Sequence, residues 1–408
     1  MPEIQGKCDP RFEGVYREFQ RNFTERGEVG GSVNVTIEGE TVVDLWGGTA
    51  DQEKGTPWKE DTVCLVWSST KGAVSLCAHI LNSRKEIDLD LPVSKYWPEF
   101  GKNGKENITV KMLLNHQAGV PHIRKELKEG AFYDWEYMVK ALEEEEPFWK
   151  PGTRNGYHPL SFGWLVGEII RRVTGQSVGT FFHKEVAKPL GLEFWIGLPE
   201  EMEPHVAPMI APPPPTQEEM MKSPFFQAMA DKSSVPYLMT FNTGGYTKPG
   251  VCDTREAHAA EIPAAGGITN ARGLAGLYAP LACGGNLRGI NLVDQDSIIR
   301  MSSVYSATGE DFTLLIPTRF TLGYMKAMDN RRQPPGRQDS LLISESAFGH
   351  NGYGGSIGFA DPDEKMSFGY TMNQMGQGMA VNERGQSLID AVYQGLGYRS
   401  TSAGVWTK

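Results

Sequence analysis

One short stretch, Trp67–Gly72, constrains the fold most strongly, because the hydrophobic pattern of the chain changes character there. The residues just before Ser68, Val63–Trp67, are apolar and β-prone throughout, which is typical of a short strand buried on both faces. After the stretch, apolar residues recur at three- and four-residue spacing as far as Ser83–Arg84, which predicts a helix with one buried stripe. Ser68 is therefore expected at or beside a helix N-terminus, with Lys71 one turn further along the same face.

In this placement, Ser68 could act as a nucleophile and Lys71 as the base that accepts its proton. A serine hydroxyl is a poor nucleophile unless a neighbouring group accepts its proton, and a desolvated lysine amine with a lowered pKa can do so. The free amides and the positive dipole end of the helix also favour negative charge that develops beside the serine. Four such residues alone are more often an ordinary helix cap with a solvated lysine, so other motifs have to decide.

Bulk properties exclude several classes of function. The 408 residues suffice for two domains, and the net charge of -10 argues against nucleic acid or an anionic membrane as the main partner. No run of eighteen apolar residues exists, so we expect no membrane span, and Met1–Lys7 lacks an apolar signal segment, which predicts a cytoplasmic location. The five cysteines and eight histidines show no metal-ligand spacing, so we predict neither a metal nor another cofactor.

The sequence of the N-terminal part predicts a helix followed by antiparallel strands. Apolar spacing in Phe12–Phe23 predicts an amphipathic helix, and alternation in Val33–Ile37 and Thr41–Trp46 predicts a hairpin. From Ser68 to about residue 300 the signals are mostly helical, with long loops. Pro212–Pro215 cannot be regular helix or central strand, so this region is either a wall or lid over a pocket or a surface loop.

Strand patterns return after about residue 310, and the chain ends with a helix around Leu388–Leu396. Sheet elements at both ends of a helical middle predict an α/β domain built from residues 1–90 and 310–408, with a mainly helical domain of residues 91–309 inserted. The predicted C-terminal strands are Phe312–Leu315, Phe320–Tyr324, Tyr353–Phe359 and Met366–Met372.

Two further stretches contain residues that could belong to a functional site. The turn-rich segment Pro151–Pro159 precedes a strong helix and contains Tyr157, which could present its phenol to a pocket or simply pack. The segment Phe348–Ser356 is dense in glycine, so another backbone or a ligand could approach it closely.

Together with the Ser-x-x-Lys pattern, these stretches resemble the serine β-lactamase and penicillin-binding-protein superfamily, in particular family VIII carboxylesterases and class C β-lactamases. Leu113–Val120 is similar to the Leu-Leu-x-His-x-x-Gly segment, and Tyr157–Pro159 falls where a Tyr-x-Asn motif is expected. His350–Gly352 resembles the His-x-Gly form of the Lys-Thr-Gly motif, and Pro263–Ile268 resembles a loop that runs close to the site. The resemblance implies a β-lactamase/DD-peptidase-like fold, an antiparallel sheet flanked by terminal helices with a helical insertion.

The resemblance also implies roles for individual residues. Ser68 would attack an ester carbonyl, while Lys71 and Tyr157 share its proton as general base and acid, with a cationic Lys71 lowering the pKa of the phenol. The backbone N–H groups of Ser68 and Tyr353 would form the oxyanion hole. The residues expected to support or bind the substrate are His350, Asn351, Gly352, His116 and Asn155.

Two departures from the family pattern point to uncharged esters. Pro159 stands where the amide that binds a β-lactam is expected, and His350 replaces the lysine that pairs with its carboxylate. Asn155 could substitute for the missing amide. The resemblance thus implies a carboxylesterase acting on a small-molecule ester with a short acyl chain. A β-lactamase, D-aminopeptidase or acyltransferase of the same superfamily remains an alternative, as does a non-catalytic binding protein, and the sequence leaves a homo-oligomer open.

A competing motif contains a different serine. Gly354–Gly358 satisfies Gly-x-Ser-x-Gly, the nucleophile elbow of α/β-hydrolases, with Ser356 as its serine. That elbow requires a helix directly after the serine, whereas here an apolar run and the turn Asp361–Glu364 follow. We therefore interpret the match as glycines on a strand that lines the site.

Overall fold

The strands of the protein come mainly from its two ends. Its structure, a computed structural model, describes residues 3–401 and 404–408. The strands are β1 (Ile4–Cys8), β2 (Gly30–Ile37), β3 (Glu40–Asp51), β4 (Thr56–Pro57), β5 (Cys64–Leu65), β6 (Phe194–Ile196), β7 (Gly267–Thr269), β8 (Asn286–Leu287), β9 (Ile290–Asn291), β10 (Ser306–Thr308), β11 (Thr318–Phe320), β12 (Phe348–Asn351), β13 (Ile357–Asp361), β14 (Met366–Met372), β15 (Arg399–Ser400) and β16 (Trp406–Thr407).

Most helices lie between these two groups of strands. They are α1 (Glu13–Glu25), α2 (Thr70–Ser83), α3 (Val110–Leu114), α4 (Trp135–Glu144), α5 (Ser161–Thr174), α6 (Val178–Phe182), α7 (Lys188–Leu190), α8 (Gln217–Lys222), α9 (Pro224–Ala228), α10 (Val235–Phe241), α11 (Arg255–Ala259), α12 (Ala271–Ala282), α13 (Gln295–Ser302) and α14 (Glu383–Gly395), with short 3-10 and π turns between some of them.

The main sheet is antiparallel and runs in the order β1-β3-β2-β14-β13-β12, with β4 beside β3. The two ends of the chain meet where β2 pairs with β14. Ile37 lies opposite Met366, and Gly31 lies opposite Met372. Helices α1 and α14 pack on each other, and α12 packs against β2, β13 and β14. The boundaries at residues 90 and 310 stay a prediction, and α12 shows that a helix from the central segment packs on the sheet.

Helix α2 is buried on all sides rather than along one stripe. Every residue from Thr70 to Leu81 is buried, and the helix packs against α5, α6 and β12. Small residues allow this close approach: a Cβ added to Gly72 would lie 2.2 Å from the Tyr278 hydroxyl. Any polar side chain that points inward from this helix is therefore cut off from water.

Several sequence predictions are confirmed. The predicted N-terminal helix, hairpin, last strand and last helix correspond to α1, β2–β3, β14 and α14. Glu38 and Gly39 in the hairpin turn have φ of 52° and 79°, the left-handed values that a tight two-residue hairpin requires. Thr109 caps α3 by accepting the Met112 N–H, and left-handed Gly175 ends α5.

Three predicted strands are wrong in whole or in part. Phe312–Leu315 forms a turn, because the Asp311 carboxylate accepts the N–H groups that a strand would have used. The predicted strand from Tyr353 begins only at Ile357, since left-handed Gly354 and Gly355 first make a turn. The strand predicted from Phe320 ends there, at the last residue of β11.

The proline-rich segment is irregular between residues 211 and 216 and is followed by α8, α9 and α10. Its entry is tied to the loop after β14, because Ile210 donates to the Asn373 carbonyl and accepts from Met375 N–H. Beyond its far end, the ring of Tyr246 packs edge-on against Trp67, with the ring centroids 6.0 Å apart. The residues that follow the segment therefore reach Trp67, the neighbour of Ser68, and a role of the segment itself as a wall or lid stays a prediction.

Candidate active site

Ser68 lies in a tight turn between a buried strand and α2. Trp67 has a φ of 46°, which is uncommon for a large side chain and reverses the chain direction just before the serine. The Ser68 carbonyl accepts the Lys71 N–H at 3.0 Å, so the turn leads directly into the helix. Ser68 itself is half-buried, and the predicted position at a helix N-terminus is confirmed.

The Lys71 side chain reaches Ser68 from within the protein. Its Nζ lies 2.9 Å from Ser68 Oγ and donates to the carbonyls of Pro159 at 2.7 Å and Ala264 at 2.9 Å. The residue is completely buried, and among the described residues no carboxylate forms an ion pair with it. Burial therefore lowers the pKa of Lys71 well below its usual value.

The three partners of Lys71 Nζ can be satisfied in either protonation state. An ammonium would donate to Ser68 Oγ and to both carbonyls, whereas a neutral amine would donate to the carbonyls of Pro159 and Ala264 and turn its lone pair to the Ser68 hydroxyl. The lowered pKa of Lys71 favours the second arrangement.

Tyr157 approaches the same atoms from a loop. Its ring centroid lies 4.9 Å from Lys71 Nζ, and its phenol is within hydrogen-bonding reach of the Ser68 side chain. Burial raises the pKa of Tyr157 above its usual value, and the hydrogen bond with Ser68 only partly opposes this. The expectation that a cationic Lys71 lowers the pKa of this phenol stays a prediction, and the lowered pKa of Lys71 weighs against the charge that it requires.

Side chains distant in sequence hold the Tyr157 loop by its backbone. The Tyr157 N–H donates to both carboxylate oxygens of Asp311, at 3.0 and 3.1 Å. His116 accepts the Gly156 N–H with its carbonyl and the His158 N–H with its Nδ1, both at 3.1 Å. The sequence interpretation missed Asp311, which belongs to no pattern that marks a site, and it gave no role to His158, the middle residue of the Tyr157–Pro159 segment.

Three buried histidines surround the Lys71–Tyr157 pair. Burial lowers the pKa of His158 and of His350 to about 3 and that of His116 well below its usual value. The Nδ1 of His158 faces the Gly156 carbonyl and its Nε2 accepts the Val120 N–H, which suits only a neutral ring. The lowered pKa values favour the uncharged form of all three imidazoles, and the supporting role of His350 and His116 stays a prediction.

The glycine-rich segment packs directly on the backbone before Ser68. A Cβ added to Gly352 would lie 2.1 Å from the Val66 carbonyl oxygen, and Ser69 Oγ donates to the His350 carbonyl at 3.2 Å. The close approach that the glycine density predicts is confirmed. Tyr353 follows in an exposed turn, where its ring packs edge-on against Trp67 at 5.8 Å.

Ser356 does not occupy a nucleophile elbow. It is buried, its hydroxyl donates to the Val66 carbonyl at 2.9 Å, and strand β13 rather than a helix begins at the next residue. The absence of a helix after Ser356 is confirmed, but the interpretation of the glycines as part of a strand is wrong for Gly354 and Gly355, which lie in the turn before β13.

The two asparagines of the predicted set are buried but engage other groups. The Asn351 side chain donates to the Met379 carbonyl at 3.3 Å. The Asn155 carbonyl accepts the Phe312 N–H at 3.0 Å, and its side-chain nitrogen has no partner in the described part of the chain. Within residues 3–401 and 404–408, no group of side chains is arranged to hold a metal ion, and no helix is long and apolar enough to cross a membrane.

Comparison with known proteins agrees with this geometry. A family model described as Beta-lactamase matches residues 18–392. The Esterase/beta-lactamase LipL of Mycobacterium tuberculosis (strain ATCC 25618 / H37Rv) is 33% identical over 380 residues, which cover 91% of this chain and 83% of that protein.

Two crystal structures are similar over almost the whole chain. A family VIII carboxylesterase has a TM-score of 0.83 and 35% identity, covering 96% of this chain and 100% of that one. EstA from Arthrobacter nitroguajacolicus Rue61a has a TM-score of 0.81 and 30% identity, covering 97% of this chain and 99% of that one. The chain belongs to the β-lactamase family, and the predicted family resemblance and fold are confirmed.

Proposed function

We propose that the protein is a serine carboxylesterase that cleaves short-chain esters through an acyl-enzyme, with Ser68 as nucleophile, Lys71 as base and Tyr157 as acid. One observation carries the proposal: Lys71 Nζ lies 2.9 Å from Ser68 Oγ while two carbonyls occupy its N–H bonds. The esterase names of LipL, EstA and the family VIII carboxylesterase support the reaction class.

Acylation begins when the Ser68 hydroxyl transfers its proton to Lys71 and its oxygen bonds to the ester carbonyl carbon. The carbonyl oxygen becomes an oxyanion, which the backbone N–H groups of Ser68 and Tyr353 would stabilise. When the carbon–oxygen bond to the alcohol breaks, Tyr157 donates its proton to the departing oxygen, and Lys71 returns a proton to the phenol.

Deacylation reverses these roles. Water gives a proton to the Lys71–Tyr157 pair and attacks the acyl carbon, and the proton finally returns to Ser68 Oγ. No step uses a charged side chain to hold the substrate. Where the superfamily pattern has an amide and a lysine, this chain has Pro159, whose carbonyl binds Lys71, and the neutral His350. Both features support uncharged esters as substrates.

The test compares p-nitrophenyl acetate and butyrate with nitrocefin, using wild type, Ser68→Ala and Ser356→Ala. We expect ester turnover in wild type and Ser356→Ala, and a loss of at least about 10³-fold in Ser68→Ala. Loss of turnover in Ser356→Ala alone would overturn the assignment. The name Esterase/beta-lactamase of LipL makes β-lactam hydrolysis the second candidate function. A faster turnover of nitrocefin than of the two esters would favour it.

A further inference from the structure

Asp311 is a fully buried carboxylate in the segment between β10 and β11, and no described residue forms an ion pair with it. It accepts the N–H groups of Thr313 at 2.8 Å and Leu314 at 2.9 Å, and the Thr318 hydroxyl at 3.1 Å. The Tyr157 N–H is shared between its two oxygens. All these partners are donors, and a protonated carboxyl group would need an acceptor for its own proton. Burial raises the pKa of Asp311, whereas the hydrogen bonds from these donors oppose that shift and favour the carboxylate anion.

Hydrogen bonds run in both directions between the Tyr157 loop and the segment that carries Asp311. Asp311 accepts the Tyr157 N–H, and the next residue, Phe312, donates its N–H to the Asn155 carbonyl at 3.0 Å. With the two bonds to His116, three successive amides of residues 156–158 are fixed. Asp311 and His116 thus hold the Tyr157 loop together, each through its backbone amides.

We propose that Asp311 is the positioning residue for the acid step: it fixes Tyr157 beside Ser68 through the backbone. This inference rests on the proposed function. It assigns to Asp311 no contact with substrate, and its effect passes through Tyr157 alone.

Replacing the carboxylate by an amide should release this loop. One oxygen of Asp311 would become an NH₂ group, which cannot accept the N–H and O–H donors that face it. The Tyr157 phenol would then lose its fixed position beside Ser68.

A dependence on the leaving group distinguishes this role from a structural one. An alkoxide leaves only if it receives a proton, whereas p-nitrophenolate is stable enough to leave without one. The kcat/KM ratio reports acylation, the step in which the alcohol leaves. The sensitive quantity is the kcat/KM of ethyl butyrate relative to that of p-nitrophenyl butyrate.

The experiment measures both substrates with full-length wild type and Asp311→Asn. We expect kcat/KM for ethyl butyrate to fall about 10²-fold and that for p-nitrophenyl butyrate to fall less than about fivefold. In a Tyr157→Phe background, Asp311→Asn should cause no further selective loss. Equal losses for both esters, or a selective loss that persists without the Tyr157 hydroxyl, would overturn the inference.

Asp361→Asn is the matched control. Asp361 is also fully buried and accepts the hydroxyls of Ser344 and Ser346 at 2.6 Å and that of Tyr393 at 2.8 Å. Its replacement should lower the melting temperature but leave the ratio of the two kcat/KM values unchanged. If Asp311→Asn does not fold, Asp311→Ser, which is also neutral and still has an acceptor oxygen, carries the same test. Failure of the proposed function would show separately, as a wild type without ester turnover.

Discussion

The helix-borne half of the site, Ser68 and Lys71, differs from the loop-borne half, Tyr157, in what fixes its geometry. Ser68 and Lys71 are three residues apart at the start of α2, so the helix itself brings their side chains together. Complete burial of that helix then supplies the lowered pKa of Lys71. One element thus determines both the spacing and the chemistry of this pair.

Tyr157 belongs to no helix or strand. Its backbone N–H binds a carboxylate 154 residues away, and the next amide binds a histidine 42 residues away. The comparison teaches that the nucleophile–base pair depends on local sequence, whereas the acid depends on contacts that only the complete fold creates. Mutations should therefore act differently on the two halves.

The largest effect is expected from Lys71→Met, which removes the base from the helix-borne half. We predict that kcat/KM falls by at least about 10³-fold for aryl and alkyl esters alike, because both need the serine proton removed. Lys105→Met is the control: this lysine is also buried and donates to the carbonyls of Glu143 and Glu145. Similar losses in both variants would mean that buried lysines matter here only for stability.

Gly352→Ala tests whether the position of Ser68 depends on α2 alone or also on the glycine-rich segment that packs against it. The added Cβ would lie 2.1 Å from the Val66 carbonyl oxygen and 2.4 Å from Ser356 Oγ, so the backbone leading into Ser68 must shift. A misplacement of this kind costs about 10²-fold in kcat/KM. Gly309→Ala, with nothing within 4 Å of the added Cβ, should behave like wild type. Full activity of Gly352→Ala would show that the helix positions Ser68 without the edge strand.

The buried amine also predicts how stability depends on pH. Because burial lowers the pKa of Lys71 in the folded state, the unfolded state binds more protons between that value and about 10.4. Stability therefore rises with pH across this window, by up to about 1.4 kcal/mol per pH unit for this one group. Denaturant unfolding of wild type and Lys71→Met from neutral pH to about pH 10 should show this difference in slope. Parallel curves would mean that Lys71 is charged in the folded protein.

The smallest effect is expected from Tyr353→Ala. Its proposed contribution is the backbone N–H, which the substitution keeps, while the half-exposed ring beside Trp67 is lost. We predict a kcat for p-nitrophenyl butyrate within about threefold of wild type, with a moderate rise in KM. A loss approaching that of Lys71→Met would assign a role to the side chain instead.

The sequence predicts well the helices and strands whose apolar residues recur with a regular local spacing. The spacing of apolar residues located α1, α2, α5 and α14, and the alternation along β2, β3 and β14 located the centre of the sheet. The Ser68–Lys71 pair was predictable for the same reason, since its geometry lies within one helical turn.

What it predicts poorly depends on distant partners. The turn at Phe312–Leu315 forms because Asp311 takes up backbone donors, and a single aspartate has no periodic signature. The burial of α2 on every side depends on Gly72 and other small residues meeting elements far along the chain. The lowered pKa of Lys71 follows only from that burial. The cytoplasmic location and the oligomeric state stay predictions.

The central claim is that a neutral Lys71 activates the Ser68 hydroxyl, and locating a covalent adduct tests it most directly. The protein would be treated with a fluorophosphonate, digested and analysed by peptide mass spectrometry, in parallel with Lys71→Met. We predict an adduct on Ser68 in wild type and labelling at least about 10²-fold slower in Lys71→Met. An adduct on Ser356, or equally fast labelling of Ser68 in both proteins, would contradict the account.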